Sequence, residues 1–248
     1  MTFTDILANK NKEIEKKIPS VIGIACIASN GVIGNSADYS IPWRKTKEDR
    51  ELYKWDMEFF KRETEFNPVI MGFKTMYSMK KPLINRYNIV INKHKNDPLI
   101  IPSEIQVIQY NNEKIDPFEF IEIYDKDKNK FVMVNSMEDA LSLVINMNNN
   151  FKYDLEKAFI IGGAKTYEEA FKKKYLSNLF ITSLDESFEG DIYFPNKYIK
   201  EFSEYSMLDY NNGDIRFYEN IDPEYKFKLI ENIAKENLIN LKRSINIM

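Results

Sequence analysis

The chain has 248 residues, of which 44% are hydrophobic and 14% aromatic, enough apolar material for one domain with a substantial core or two small ones. Its 35 basic and 38 acidic residues give a net charge of −3, so no global field attracts nucleic acid, and any anionic ligand must be held locally. A single cysteine, Cys26, excludes an internal disulfide, and with His94 as the one histidine the usual Cys/His zinc sets are unavailable, so no metal site is expected. Ser-His-Asp or Cys-His catalysis would have to rest on His94, which sits in the polar run Asn92-Lys-His-Lys-Asn-Asp97 and reads as a solvated loop residue. No run approaches the ~20 apolar residues that span a bilayer. The first residues lack the basic-then-apolar order of a signal peptide. A soluble, cytoplasmic protein without membrane or nucleic-acid partners is expected.

Residues 1–20 are rich in Lys, Glu and Asn and read as a helical or frayed extension. The apolar run Val21 to Ala28, ended by Ser29-Asn30-Gly31, reads as a strand buried on both faces. A loop containing Gly31, Gly34 and Pro42 leads to a stretch, Thr46 to Thr64, whose spacing predicts one helix. On it Tyr53, Asp56, Met57, Phe60 and Thr64 share a stripe. Asp56 is a carboxylate among aromatic and apolar neighbours, and burial there would raise its pKa. Periodicity leaves open the plainer reading, an aspartate at the stripe's edge that is solvated or paired with Arg50 or Lys54.

Further along, Val69 to Met71 reads as a short strand, Lys74 to Met79 as a short helix, and Tyr87 to Ile91 and Ile105 to Gln109 as strands. Phe118 to Tyr124 and Phe131 to Val134, around the polar run Asp125 to Lys130, read as a surface hairpin. Ser136-Met-Glu-Asp139 caps a helix from Ala140 to Met147, and Asn148-Asn149-Asn150 reads as a loop. Lys157 to Ile161 is a strand, Ala164 to Phe171 a helix and Asn178 to Ser183 a strand. Glu201 to Leu208 and Ile215 to Asn220 flank Asn211-Asn212-Gly213, a hairpin turn signal. The tail, Pro223 to Met248, looks helical. Alternating strands and helices predict an α/β fold: a predominantly parallel central sheet with an antiparallel C-terminal hairpin, flanked by helices.

Only eight glycines are present, so their positions are informative. Gly162-Gly163 follows a strand directly and opens a helix, where backbone N–H groups can approach a phosphate. As a tight turn it would need no ligand, and it is not the GxGxxG fingerprint. Gly72-Phe73-Lys74-Thr75 repeats the arrangement after another strand, adding a cation and a hydroxyl. Two such turns make a split anion site, to which Lys93 could add charge.

Seven motifs in order then resemble the dihydrofolate reductase family. They are Val32-Ile33-Gly34; Ile41-Pro42-Trp43; Asp56-Met-Glu-Phe-Phe-Lys61 with Thr64; Pro68-Val-Ile-Met-Gly72 with Lys74-Thr75; Lys81-Pro82-Leu83 with Arg86; Ile160-Ile-Gly-Gly163 with Tyr167; and Glu189-Gly-Asp191 with Phe194-Pro195. The resemblance covers 21–220. It implies domain limits of 21–221, with insertions near 44–53 and 118–134, an N-terminal extension over 1–20 and a helical tail over 222–248.

The activity implied is NADPH-dependent reduction of 7,8-dihydrofolate to tetrahydrofolate, with hydride transfer to C6 and protonation of N5. Antifolate-type molecules would bind the same pocket. By resemblance the catalytic residues are Asp56, the acid of the pterin pocket, Thr182, which supports it, and Trp43. Ile24, Cys26, Met57, Phe60, Met79, Leu83 and Ile161 would surround the substrate, and Arg86 would pair with its glutamate α-carboxylate. On the cofactor side the resemblance implies Ile33 and Gly34 near nicotinamide, Cys26 as a backbone contact beside both ligands, and Ile161. Lys74 and Thr75 would meet the phosphate groups, and Gly72, Phe73, Asn92 and Lys93 would be further cofactor-binding residues. Gly162, Gly163, Ala164, Lys165 and Thr166 would cradle the pyrophosphate, with a cis bond between the two glycines, and Tyr167 would also belong to the cofactor side. The loop Gly31 to Arg44 would close over the site, with Asp191 stabilising the closed form.

Two departures stand out. Phe73 occupies a position that is often basic in the family, and Lys93 is the candidate to compensate for NADPH over NADH. The spacing from Trp43 to Asp56 is wide, so by spacing alone Glu48 could be the acid, but the register of Asp56 with Phe59-Phe60-Lys61 favours Asp56. A related pyrimidine reductase of flavin synthesis, and a catalytically retired nucleotide-binding or scaffold protein, are the alternatives. The tail helix could also mediate self-association or dock a partner.

Overall fold

The computed structural model describes residues 18–93, 107–109, 130–149 and 155–222, together with 225, 229, 231 and 233. Residues 1–17 of the extension, the polar run from His94 to Asp97, and the first strand of the expected hairpin, with its turn to 129, lie outside the described residues.

Eleven strands are found among the described residues: β1 (Ser20–Ile27), β2 (Val32–Gly34), β3 (Pro68–Gly72), β4 (Tyr87–Ile91), β5 (Val107–Gln109), β6 (Phe131–Val134), β7 (Lys157–Gly162), β8 (Asn178–Leu184), β9 (Ile192–Tyr193), β10 (Phe202–Tyr210) and β11 (Gly213–Asn220). Nine of them form one sheet in the order β10-β11-β8-β1-β7-β3-β4-β6-β5, and β2 pairs separately with β9. From β8 through β5 every pairing is parallel, while β11 runs antiparallel to both β8 and β10. Parallel strands must be covered on both faces, which is why the strands flanking the centre read as continuous apolar runs.

The covering helices are α1 (Lys47–Leu52), α2 (Lys54–Thr64), α3 (Phe73–Met79), α4 (Met137–Asn149) and α5 (Ala164–Lys172). Alternation along β1 divides the core. Ile22 and Ile24 pack with Phe59 of α2 and Met76 of α3, whereas Val21, Ala25 and Ile27 pack with α4 and α5. The same parity puts Cys26, next in the even series, on the α2 side. None of the described helices is long and apolar enough to cross a membrane.

Four expectations need correction. The single helix from Thr46 to Thr64 is two helices, broken at Tyr53, whose backbone leaves the helical region (φ −105°, ψ 25°). The segment 44–53 contains α1, capped by Thr46, whose Oγ1 accepts the Asp49 N–H at 3.0 Å. Phe131–Val134 is no surface strand: it is fully buried and lies between β4 and β5, parallel to both. Asn148 is no loop residue either, because α4 runs through Asn149 and the Asn148 amide exchanges hydrogen bonds with the Leu155 backbone, each 2.8 Å. Finally, the tail is not outside the domain throughout: Tyr225, Leu229 and Ile233 join the core cluster of Val21, Leu141 and Val144.

Candidate active site

The carboxyl ends of the parallel strands converge on one edge, where α2, α3 and α5 begin or pass. Asp56 lies in the first turn of α2 and is only 7% exposed. A helix N-terminus favours a carboxylate, and its position three residues after the helix break at Tyr53 turns it toward the sheet rather than solvent. There it meets β1 and β8, in which Cys26 and Thr182 are register partners on the same face. Burial lifts the Asp56 carboxyl above the ordinary aspartate range; hydrogen bonds from the Thr182 hydroxyl and the Cys26 thiol, and the Arg44 charge, oppose that rise. Burial, then the Asp56 charge, push the Cys26 thiol well up, so it remains a protonated donor. The site therefore holds one carboxylate and two donors aimed at it. Glu48 is exposed in the first turn of α1 and plays no part in this constellation.

Around this centre Phe60 of α2, Met79 of α3, Leu83 and Ile161 are partly buried against one apolar cluster, and Met57 is half-buried beside them in sequence. Arg86 stands farther out, 6% exposed, its guanidinium donating to Thr64 Oγ1 at 3.2 Å, Lys61 O at 2.8 Å and Ile84 O at 2.6 Å. All of these acceptors are neutral, so a largely desolvated cation keeps capacity for an anion, the circumstance in which a bidentate carboxylate contact is strongest. Sequence reasoning missed what holds Arg86. Asn88, fully buried, donates to Leu83 O and Arg86 O and accepts from Leu83 N, with distances of 2.9, 3.0 and 2.9 Å. The available signal was an amide inside the apolar strand Tyr87–Ile91.

The two glycine turns abut. Gly72 caps α3 and Gly163 caps α5; neither helix has a side-chain cap or an acidic residue in its first turn. A Cβ on Gly72 would stand 2.7 Å from Thr166 Oγ1, and one on Gly163 would stand 3.3 Å from Thr75 Oγ1, so both hydroxyls line the crevice. The Gly162-Gly163 peptide is cis, and Gly162 has a φ of +139°. Two uncapped helix starts with Lys74 and Lys165 beside them, and with no acid, suit a pyrophosphate. Tyr167 is buried and donates its hydroxyl to Ile24 O at 2.7 Å, tying α5 to β1. Ile24 in turn offers its carbonyl to that bond and its side chain to the core. Asn92 anchors the end of β4 to Val134 O, and Lys93 is paired with Glu169 at 2.7 Å.

The loop after β1 is tethered over this edge. Gly34 pairs with Ile192, leaving Ile33 half-buried between its neighbours, and Asp191 accepts from Ser36 N at 2.7 Å and from the Ser36 hydroxyl. Trp43 is buried with Ala28, Val32, Tyr53 and Leu184, its ring 5.6 Å from that of Phe188, so it anchors the loop's far end. Tyr39 reaches across to α3, 5.8 Å from the Tyr77 ring and 5.7 Å from Lys74 Nζ.

Comparison with known proteins agrees with this geometry. A family model described as dihydrofolate reductase matches residues 20–123 and 121–221. The dihydrofolate reductase of Bos taurus is 26% identical over 212 residues, covering 84% of this chain and 95% of the relative. That of Bacillus subtilis (strain 168) is 28% identical over 172 residues, covering 69% of this chain and 73% of the relative. Among solved structures, the Enterococcus faecalis dihydrofolate reductase complexed with NADP(H) and RAB-propyl superposes with a TM-score of 0.56 at 23% identity, covering 82% of this chain and 97% of that one. With both the sequence match and the architecture spanning most of its length, the chain belongs to the dihydrofolate reductase family.

Proposed function

We propose that this chain reduces 7,8-dihydrofolate to 5,6,7,8-tetrahydrofolate with NADPH, supporting one-carbon and thymidylate metabolism. The observation that carries the reading is Asp56: a buried carboxylate with a raised pKa, flanked by two donors, across from the two uncapped glycine turns. When bound, NADPH supplies the hydride that reaches C6 of the pterin. Lys74, Thr75 and Thr166, with the free amides at the start of α3 and α5, hold its phosphates. Asp56 hydrogen-bonds the pterin's amino group and ring nitrogen, fixing the ring's orientation, and favours protonation of N5. Thr182 and Cys26 keep the carboxylate from turning away. Phe60, Met79 and Leu83 enclose the apolar parts of the substrate, and Arg86 takes the α-carboxylate at the rim. The Ser36–Asp191 tether holds the loop where it excludes water from the reacting rings.

Monitoring NADPH absorbance with dihydrofolate tests the assignment. Asp56→Asn is expected to lose roughly 10²–10⁴-fold in turnover near neutral pH and to recover part of it at low pH, where substrate arrives already protonated. Full activity in that variant, or a loss confined to Glu48→Gln, would refute the role of Asp56. A wild type that binds NADPH yet reduces nothing would favour a retired nucleotide-binding protein instead.

A further inference from the structure

Past the end of β4 a chain of alternating charges runs onto α5. Lys93 Nζ lies 2.7 Å from one oxygen of Glu169; the other Glu169 oxygen is 3.2 Å from Lys173 Nζ, which itself contacts Glu138 at 2.5 Å. Glu138 also accepts from the Tyr175 hydroxyl at 2.7 Å. Lys173 thus has a carboxylate of its own, and the Glu169 charge is available to Lys93. The pair is unequal: the Lys93 side chain is 51% exposed, whereas that of Glu169 is 15% exposed and fixed by its contacts.

Its location gives the pair meaning. Lys93 follows Ile91, the register partner of Gly72, which caps α3. Glu169 stands five residues into α5, about 7.5 Å along the axis from the phosphate-facing start. Through the neighbouring strand ends the pair flanks the crevice between the two glycine turns, within the length of a nucleoside attached to a pyrophosphate seated there. In nicotinamide-binding sites an acid beside the ribose accepts from a free 2′-hydroxyl, while a cation there suits a 2′-phosphate. Here one of each is present, and they are joined. Phe73 brings no further charge, because it packs against the apolar cluster under α3.

We infer that Glu169 is a specificity residue: by holding Lys93, it narrows this chain's preference for a cofactor carrying a 2′-phosphate over one carrying a free 2′-hydroxyl. The inference rests on the NADPH reading and deepens it. A 2′-phosphate must draw Lys93 away from Glu169 and then sit beside a carboxylate, whereas a ribose hydroxyl can donate to Glu169 and leave the pair intact.

Calorimetric titration of the full chain with adenosine 2′,5′-bisphosphate and with adenosine 5′-monophosphate isolates the 2′-phosphate as a ratio of affinities. Glu169→Gln keeps the shape and the contacts to both lysines; it is expected to raise that ratio roughly tenfold. Lys93→Gln, at an exposed position, should lower it by a similar factor, and in the double variant the two changes should fail to add because they act through one contact. A ratio that stays within about twofold in Glu169→Gln, while NADPH still binds, overturns this inference alone. If the wild type binds neither probe nor NADPH, the cofactor reading fails and this inference falls with it.

Discussion

At the scale of single residues, the feature that makes Asp56 useful also costs stability. Burial raises its pKa above the ordinary value of 3.8, so the native state holds its proton to higher pH than the unfolded chain does. The favourable difference is complete below the ordinary value and is lost as pH rises through the raised one; ionised Asp56 therefore weakens the fold at neutral pH. Asp56→Asn cannot ionise and can still accept from Thr182. It should melt a few degrees above wild type at pH 7, with the gap closing toward pH 3, at ~2–4 °C per kcal/mol for a domain of this size. Thermal unfolding followed by circular dichroism at both values decides the matter; a variant that melts lower at pH 7, or a gap independent of pH, contradicts it. The sequence carried the stripe that includes Asp56 but could not distinguish a buried acid from a solvated edge. What separates them is contact with Cys26 and Thr182, on two strands remote in sequence, and periodicity within one helix contains no such information. Asn88 was hidden for the same reason, since its partners are loop atoms near Leu83 and Arg86 rather than neighbours in its strand.

At the scale of elements, the break between α1 and α2 sets the phase with which Asp56 meets the sheet. Helix spacing ran unbroken through Tyr53, so the sequence predicted one helix; tertiary contacts impose two. The Tyr53 hydroxyl donates to Glu186 at 2.9 Å, and Arg50 donates back to the carbonyls of Arg44 and Lys45 at 3.0 and 3.2 Å. The hairpin turn between β10 and β11 clamps the joint from outside. Asn212 Oδ1 accepts from Trp55 Nε1 at 3.0 Å, its amide donates to Leu52 O at 3.3 Å, and Tyr210 stacks on Trp55 at 4.1 Å. The turn itself was legible in Asn211-Asn212-Gly213, but its use as a clamp was not, because the signal is local and the function is not. Asn212→Ala deletes two hydrogen bonds to the joint and should lower stability by about 1–2 kcal/mol, read from urea unfolding by tryptophan fluorescence. The loosened phase of α2 should also reduce turnover. An unchanged midpoint and unchanged rate would mean that the joint is held without the clamp.

At the scale of the whole molecule, the alternation of strands and helices fixed the fold class, yet two segments were misjudged because alternation says nothing about who covers whom. Phe131–Val134 was read with its polar neighbours as part of an exposed hairpin, although four consecutive apolar residues are what a strand buried on both faces requires. The tail was read as a helical appendage that could self-associate or dock a partner. Tyr225, Leu229 and Ile233 recur at helical spacing, are 7, 1 and 6% exposed, and join the cluster beside Ile18, Val21, Leu141 and Val144. Tyr225 also donates its hydroxyl to the carbonyl of Tyr175. These three side chains therefore close the core of their own chain and are not presented outward. Leu229→Ala should cost about 2–4 kcal/mol through lost burial and the cavity left behind. Tyr225→Phe, which removes a hydroxyl and keeps the ring, should cost only about 1 kcal/mol. Urea midpoints measured with size-exclusion chromatography separate the two roles for this segment. If it completed the core, the variants would lose stability in that order while eluting as wild type does. A change in elution volume with unaltered midpoints would instead make the tail an association surface.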